Sequence, residues 1–411
     1  MSRRAIEGFK TALIALLLAS AVLLGYISDV FGGVSGAFSP SQASSPENGA
    51  VGAAPAEAAR PAALVLTNAT GERAVFKYDA DVLDQYYERT SSSLGEALGA
   101  LTKPEECQET DWRQALKSPG IMFEYHESVP LELARDWMGA SGEGFGITLR
   151  RICLVFVDDA AALYFEDDGK YFMSQTSSIG GDFSVSASYD GSVKYLFELD
   201  DTSAAPYMIL IPDSVHATAL SQNPLTDSAA LASAVSVLGI DIRLATNYNE
   251  SDGTSVYISS AFSLFVSPDG VVTYRRDNES GTSLGFCQSV DIARRVAASS
   301  IGMYSGDARV YFSGFSYDNS DLTILFDYYF EGGRVFFPGY GNAARITVSG
   351  GAVTSMTLCF RSFTAGDEAL LLPEKQALAI SNGEFSLGYA DSPSATPFWY
   401  SYEPGATRGA A

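Results

Sequence analysis

Residues 330–355 contain six glycines among aromatic and β-branched residues. They read FEGGRVFFPGYGNAARITVSGGAVTS. A phosphate-binding loop needs GxxxxGK[ST], or GxGxxG between a strand and a helix. Here Gly339 and Gly341 are followed by the alternating run AARITVSG, which is typical of a strand, and the stretch contains no lysine. The glycine pairs in residues 331–333 and 349–351 therefore predict hairpin turns between antiparallel strands.

The same alternation of strands and turns extends through the folded part of the chain. Each group of predicted strands accompanies an amphipathic helix, and this order recurs about three times, with helices starting near Asp79, Thr226 and Ser289. In the first helix the period places an apolar face on Val82, Tyr86, Leu94 and Leu98. The second group starts with YMILIP, which predicts a strand. The predicted fold class is α+β, as tandem modules of antiparallel sheet, each covered on one face by a helix, after one N-terminal transmembrane helix.

The N-terminus predicts that membrane anchor. Residues 1–10, MSRRAIEGFK, carry three basic side chains, and the run at residues 11–27 is uncharged. At about 1.5 Å per residue the run reaches about 25 Å as a helix, and a few flanking residues complete a span of about 30 Å. Positive charge before the run keeps the start in the cytoplasm and sends the bulk of the chain outside it, across the cell membrane. A cleaved signal peptide is the alternative.

Small side chains recur along the predicted anchor. They are Ala12, Ala15, Ala19, Ser20 and Gly25. Small residues let helices approach closely in lipid, so we expect these five to contact the helices of a partner in the membrane. An ordinary apolar anchor without a specific partner is the alternative.

Composition and periodicity together predict the organisation of the chain. The predicted segments are a cytoplasmic start (1–10), the transmembrane anchor (11–31), a flexible Pro- and Ala-rich linker (32–61), an N-terminal α+β domain (62–205), a middle α+β module (206–283), a C-terminal α+β module (284–402) and a tail (403–411).

The charge of the chain excludes one class of partner, and its motifs show no catalytic set. The formal net charge is −23, so nucleic acid is repelled. His126 and His216 lack a second ligand at metal-binding spacing, and we expect both on the surface, at a strand end and in a loop. Pairs of acids recur between residues 158 and 201, but adjacent acids are common in a chain with 49 of them. The sequence therefore predicts no catalytic residue, metal or cofactor.

Residues 326–363, FDYYFEGGRVFFPGYGNAARITVSGGAVTSMTLCFRSF, resemble a pattern in the YycH and YycI proteins. In that family a strand ends with an aromatic pair and a glycine turn, and a short strand, a strand with a basic-x-V pattern and another long strand follow. Residues that fill these places here are 328–330, 332–333, 334–335, 345–348 and 353–354, and LLLPEKQALA gives the next helix. The local resemblance covers residues 285–382, and the C-terminal module is thus YycI-like.

That family consists of membrane-anchored accessory regulators of the WalK sensor kinase in Gram-positive bacteria. The resemblance therefore implies a non-enzymatic extracytoplasmic regulator of a two-component system that controls cell-envelope homeostasis. Its expected partners are a membrane sensor histidine kinase and a sister regulator.

Two other functions stay open on the sequence. An extracellular module could bind a cell-wall polymer or small ligand by stacking aromatic side chains on sugars, unless these side chains alternate between core and solvent. The aromatic residues in question are Tyr328, Tyr329, Phe336, Phe337 and Tyr340. A carboxylate-dependent wall hydrolase would instead need two acids about 5 to 9.5 Å apart in a cleft.

Overall fold

The described residues form an α+β fold with two large sheets and one small sheet. The computed structural model describes residues 55–402, except 141, 158–159, 168, 177–184, 201–202, 213, 227, 237, 277–283, 320 and 382. The predicted anchor lies outside these residues. Within them, none of the helices combines the length and the apolar character needed to cross a membrane.

Strands make up most of the regular structure. They are β1 (Ala63–Thr67), β2 (Arg73–Lys77), β3 (Glu105–Cys107), β4 (Gly120–Pro130), β5 (Thr148–Val157), β6 (Ala160–Asp167), β7 (Lys170–Thr176), β8 (His216–Gln222), β9 (Thr246–Asn249), β10 (Ser255–Ile258), β11 (Ser263–Val266), β12 (Val271–Arg275), β13 (Arg309–Asp318), β14 (Asp321–Phe330), β15 (Gly333–Phe336), β16 (Ala344–Ser349), β17 (Ala352–Cys359), β18 (Ser362–Ala369), β19 (Phe385–Ala390), β20 (Ser394–Ala395) and β21 (Phe398–Ser401).

The described α-helices lie between groups of strands. They are α1 (Pro55–Ala58), α2 (Ala80–Gly99), α3 (Glu109–Lys117), α4 (Leu131–Trp137), α5 (Leu196–Leu199), α6 (Ser228–Ser236), α7 (Phe286–Ser299) and α8 (Glu374–Ile380).

The seven-stranded sheet has the order β2-β1-β4-β5-β6-β7-β3 and is antiparallel throughout. Helix α2 begins after Asp79, as predicted, because the Asp79 carboxylate accepts a hydrogen bond from the Val82 amide. All five residues of β1 are buried, and the sheet is covered on both faces rather than one: Leu64 and Leu66 belong to one core cluster and Val65, on the other face, belongs to a second. The unbroken apolar run of β1 is typical of such two-sided burial.

The buried face of α2 differs from the predicted one. Leu94 and Leu98 are buried as expected, but Leu83 and Tyr87 are buried in the first turns and Val82 is only half-buried. Since each residue turns an α-helix by about 100°, moving the face by one residue rotates it by that angle. The first turns of α2 therefore pack on the sheet through Leu83 and Tyr87, each one residue after the predicted Val82 and Tyr86.

The eleven-stranded sheet runs β21-β19-β15-β14-β16-β17-β12-β11-β10-β9, and β13 pairs with β14 outside this path. Its pairs are antiparallel except β15 with β19. Helix α7 buries Val290, Ala293 and Ala297 on one face. Because β12 pairs with β17, strands from both sides of residue 283 share this sheet. The domain boundaries at 62–205, 206–283 and 284–402 stay a prediction.

The prediction of a strand at residues 207–212 was wrong. The segment forms no strand, and Tyr207, Met208 and Ile209 are buried in a connection that bonds back to α5 through Met208 and Pro206. A short apolar run signals burial, and here burial occurs without a sheet partner. The next strand, β8, instead pairs with β18 and β20 in the three-stranded sheet.

The glycine pairs form hairpin turns, as predicted. Glu331 (φ 45°) and Gly332 (φ 73°) join β14 to β15, and Gly350 (φ 56°) and Gly351 (φ 79°) join β16 to β17. Two successive residues at positive φ are typical of the tight turn that matches the twist of antiparallel strands.

Replacing Gly332 by alanine should reduce the free energy of unfolding by about 1–2 kcal/mol, the cost of placing a Cβ in the left-handed region. The added Cβ would also lie 3.2 Å from Cδ1 of Tyr78. The matched control is Gly383→Ala, where no atom lies within 4 Å of the new Cβ. Urea unfolding of the two variants checks this, and equal stabilities would contradict it.

Candidate functional site at the junction of the two large sheets

The two large sheets pack against each other, and ion pairs join them. The guanidinium of Arg309 on β13 bonds to Asp84 on α2 at 2.7 and 2.8 Å, and Arg334 on β15 bonds to Glu127 on β4 at 3.0 Å. A cleft opens beside these contacts, lined by β1, β2, β4 and β5 on one side and by β14, β19 and β21 on the other. It contains about 770 Å³ of unfilled space, counting its open mouth.

A β-bulge on β4 supplies one wall of the cleft. Glu124 pairs with Arg151 on β5, and Val129 pairs with Leu149, so residues 125–128 lie opposite the single residue Arg150. Bulges bend a strand and redirect its side chains. This bulge brings Tyr125 and His126 to the cleft.

Glu384, just before β19, holds the centre of the charged cluster. Its carboxylate accepts hydrogen bonds from Arg150 Nη1 at 2.6 Å and Arg151 Nη2 at 2.8 Å, and Glu124 lies 2.8 Å from the same Arg151 nitrogen. Arg150 also lies over the Tyr402 ring, 3.5 Å from its centroid. Burial raises the pKa of Glu384, but Arg151 and Arg150 outweigh it and hold the pKa at about 2. Glu384 is therefore ionised at neutral pH and joins the two sheets.

A second buried carboxylate, that of Glu374 on α8, bonds to groups beside the cleft. Only 1% of Glu374 is exposed, and it accepts hydrogen bonds from Tyr78 Oη at 2.5 Å and from the Ile211 amide at 2.6 Å. Lys77 Nζ lies 3.6 Å from the same carboxylate. Burial raises the pKa of Tyr78, so its hydroxyl stays protonated and donates to Glu374.

The structure overturns the surface placement of both histidines. His126 is partly buried in the bulge, and its ring stacks on Tyr329 with centroids 3.7 Å apart. Burial, together with Arg150, Arg334 and Lys77, lowers the pKa of His126 to about 3. His216 is the first residue of β8 and only 1% exposed, and burial lowers its pKa too. Both rings face the contact between the sheets, which sequence spacing does not reveal.

The aromatic residues considered for sugar stacking do not form an exposed platform. Tyr328, Tyr329 and Phe337 are buried, and Phe336 is half-buried, so of the five only Tyr340 is exposed. The expected alternation between core and solvent is also absent at Tyr328 and Tyr329, because β14 is covered on both faces. Tyr328 Oη donates to the Cys359 carbonyl at the end of β17, whereas the Tyr329 ring stacks on His126 of β4.

The acidic residues weighed for hydrolysis are engaged where the structure describes them. Glu166 lies 3.6 Å from Arg151, Asp167 accepts from the Thr148 hydroxyl at 2.6 Å, and Glu198 lies 2.8 Å from Arg73. In the part of the chain that the structure describes, no three His, Cys, Asp or Glu side chains form a group that could hold a metal ion. Ala12, Ala15, Ala19, Ser20 and Gly25 of the predicted anchor lie outside the described ranges.

The charged cluster that defines the cleft does not follow from local sequence patterns. One signal was present: Arg150 and Arg151 interrupt the strand TLRRICLVFV, and buried arginines require carboxylate partners. Their main partner, Glu384, lies more than 230 residues away in sequence, so only the fold identifies it.

The fold of the chain is similar to that of a solved structure, although its sequence matches no known family. No profile of a known protein family matches the chain, and no curated protein does. Among solved structures, the chain is similar to the crystal structure of YycH from Bacillus subtilis, with a TM-score of 0.52 and 11% sequence identity. The similarity covers 85% of this chain and 95% of that one. The resemblance found in the sequence is thus confirmed at the level of the fold: the chain has the fold of YycH.

Proposed function

We propose that this protein is a non-enzymatic, membrane-anchored extracytoplasmic regulator of a two-component sensor kinase that controls cell-envelope homeostasis. The observation that carries the proposal is the YycH fold, which extends over 85% of the chain. The paired state of the charges in the cleft supports a structural role for them: Glu384 and Glu374 each join the two halves of the molecule through buried cations or hydroxyls.

The proposed regulator acts through both its anchor and its folded part. The helix at residues 11–31 contacts the transmembrane helices of a sensor histidine kinase, and the α+β modules outside the membrane contact the kinase and a sister regulator. The linker at residues 32–61 connects the two parts. In a helix with about 100° per residue, Ala12, Ala15 and Ala19 share one face, and Ala21 lies on the opposite face.

Co-purification with the sensor kinase encoded nearest in the genome tests the proposal. The full chain, extracted in detergent, should retain the kinase, and its deletion should change kinase output in cells. The double variant Ala15→Leu with Ala19→Leu should weaken retention, since larger side chains separate closely packed helices. Ala21→Leu is the matched control and should retain the kinase.

The absence of both association and any effect on kinase output would end the proposal of a kinase regulator. If the wild type and the double variant retain the kinase equally, the proposed contact between the anchor and the kinase helices is wrong. The folded modules must then bind the kinase. The buried state of Tyr328, Tyr329 and Phe337 leaves a surface sugar-stacking platform without support from geometry.

A further inference from the structure

The cleft between the sheets contains polar groups that the protein itself does not satisfy. We propose that it binds a single neutral sugar, held by the hydroxyls of Tyr329 and Tyr125 and by the His126 ring. The inference goes beyond the regulatory role and holds whether or not the protein contacts a kinase.

Two buried tyrosine hydroxyls at the cleft have no hydrogen-bond partner in the part of the protein that the structure describes. Among the described residues, three tyrosines have a buried hydroxyl without a hydrogen-bond partner, namely Tyr125, Tyr195 and Tyr329. Tyr125 and Tyr329 both line this cleft, although only 3% and 5% of each residue is exposed. Because an unsatisfied buried hydroxyl is costly, two at one cavity indicate a ligand that offers hydrogen bonds there.

The neutral imidazole of His126 adds a third polar group. It lines the same cleft and stacks on Tyr329, so both polar side chains are held in place by the ring contact. Since its pKa is lowered to about 3, the ring is uncharged at neutral pH and offers one donor and one acceptor. A ligand with several hydroxyl or amide groups matches this mixture of donors and acceptors.

The charged groups of the cleft exclude a charged ligand. Lys77 pairs with Glu374 at 3.6 Å, and Arg150 pairs with Glu384 at 2.6 Å and with Glu124 at 3.2 Å. A charged ligand would have to break one of these pairs and leave a buried charge uncompensated, at a high cost in free energy.

The walls of the cleft favour a ring with apolar faces. Tyrosine rings and apolar side chains line it, including those of Tyr207, Tyr400, Met122 and Ile209. Small-molecule sites are mostly apolar cavities with a few placed polar groups, and the lining of this cleft has that composition. The C–H face of a sugar ring fits such walls, and its hydroxyls reach the unsatisfied groups.

Saturation-transfer difference NMR on the full chain tests the proposal, in a detergent without a sugar head group. The probes are N-acetylglucosamine, which is neutral, glucosamine in slightly acidic buffer, which is cationic, and glucuronic acid, which is anionic. We expect N-acetylglucosamine to bind at least about tenfold more tightly than either charged sugar. Tyr329→Phe removes only the hydroxyl and should weaken binding roughly fivefold, the value of one neutral hydrogen bond.

Tyr195→Phe is the matched control, because it removes an equally buried unpaired hydroxyl that does not line the cleft. It should leave affinity unchanged. Thermal melting of Tyr329→Phe without ligand should occur at or above the wild-type temperature, since the hydroxyl has no protein partner to lose. No signal from N-acetylglucosamine, equal affinity of Tyr329→Phe and wild type, or a lower melting temperature of Tyr329→Phe would each overturn the proposal.

Discussion

Replacing Glu384 by glutamine should reduce the free energy of unfolding by about 3–5 kcal/mol, the usual cost of removing one partner from a buried ion pair. Glutamine has nearly the same shape, so the loss comes from charge and not from a cavity. Arg150 and Arg151 are 9% and 2% exposed. In the variant Arg150 keeps its ion pair with Glu124, and Arg151 keeps Glu124 and the more distant Glu166. Urea unfolding followed by circular dichroism measures the change.

Acid should remove the difference between wild type and Glu384→Gln. The pKa of Glu384 is lowered from its ordinary value of 4.5 to about 2 in the folded protein. A lowered carboxyl pKa contributes stability above the unfolded-state pKa, and this contribution is lost as the pH falls through the folded-state pKa. The two proteins should therefore differ fully at neutral pH and converge between pH 4.5 and 2.

The control for Glu384→Gln is Asp241→Asn, which makes the same carboxylate-to-amide change in an exposed pair with Arg243. These side chains are 39% and 84% exposed. Surface pairs contribute little because water and salt screen them, so this variant should unfold like wild type. If Glu384→Gln behaved in the same way, the cluster would not join the sheets.

Local elements of the fold could be predicted because their signals lie within a few residues of sequence. Positive φ at consecutive residues favours glycine, so Gly332 in the first hairpin and Gly350 with Gly351 in the second could be recognised as turn residues. Asp79 marked the start of α2 in the same way, through its own side chain. Each of these features depends only on the backbone within a few residues of it, so the local sequence is enough to recognise it.

The candidate site could not be predicted because it depends on contacts between distant parts of the chain. The bulge that brings His126 to the cleft appears only in the pairing of β4 with β5, and the stack with Tyr329 joins residues about 200 positions apart. Buried arginines in an apolar strand indicate that carboxylates must lie nearby, but many of the 49 acidic residues could serve. The register of the sheets selects Glu384 and Glu124.

Acidification from pH 7 to about 5 should destabilise wild type more than His126→Phe, by about 2 kcal/mol. The folded-state pKa of His126 is lowered from its ordinary value of 6.5 to about 3, so in this range only the unfolded chain takes up the proton. Stability therefore falls by about 1.4 kcal/mol per pH unit below the unfolded pKa, and it is independent of this residue above it. Phenylalanine keeps the stack on Tyr329 and cannot be protonated.

Urea unfolding of both proteins at a series of pH values measures this effect as a difference, in which the contributions of carboxyl groups common to both cancel. Lys77, Arg150 and Arg334 surround the ring and disfavour its charge, whereas Glu127 beside it is already paired with Arg334. His216, the other histidine of the chain, is present in both proteins and cancels as well. Stability curves that stay parallel from pH 7 to 5 would mean that His126 takes up a proton in the folded state, and the paired charges around the cleft would then not control its pKa.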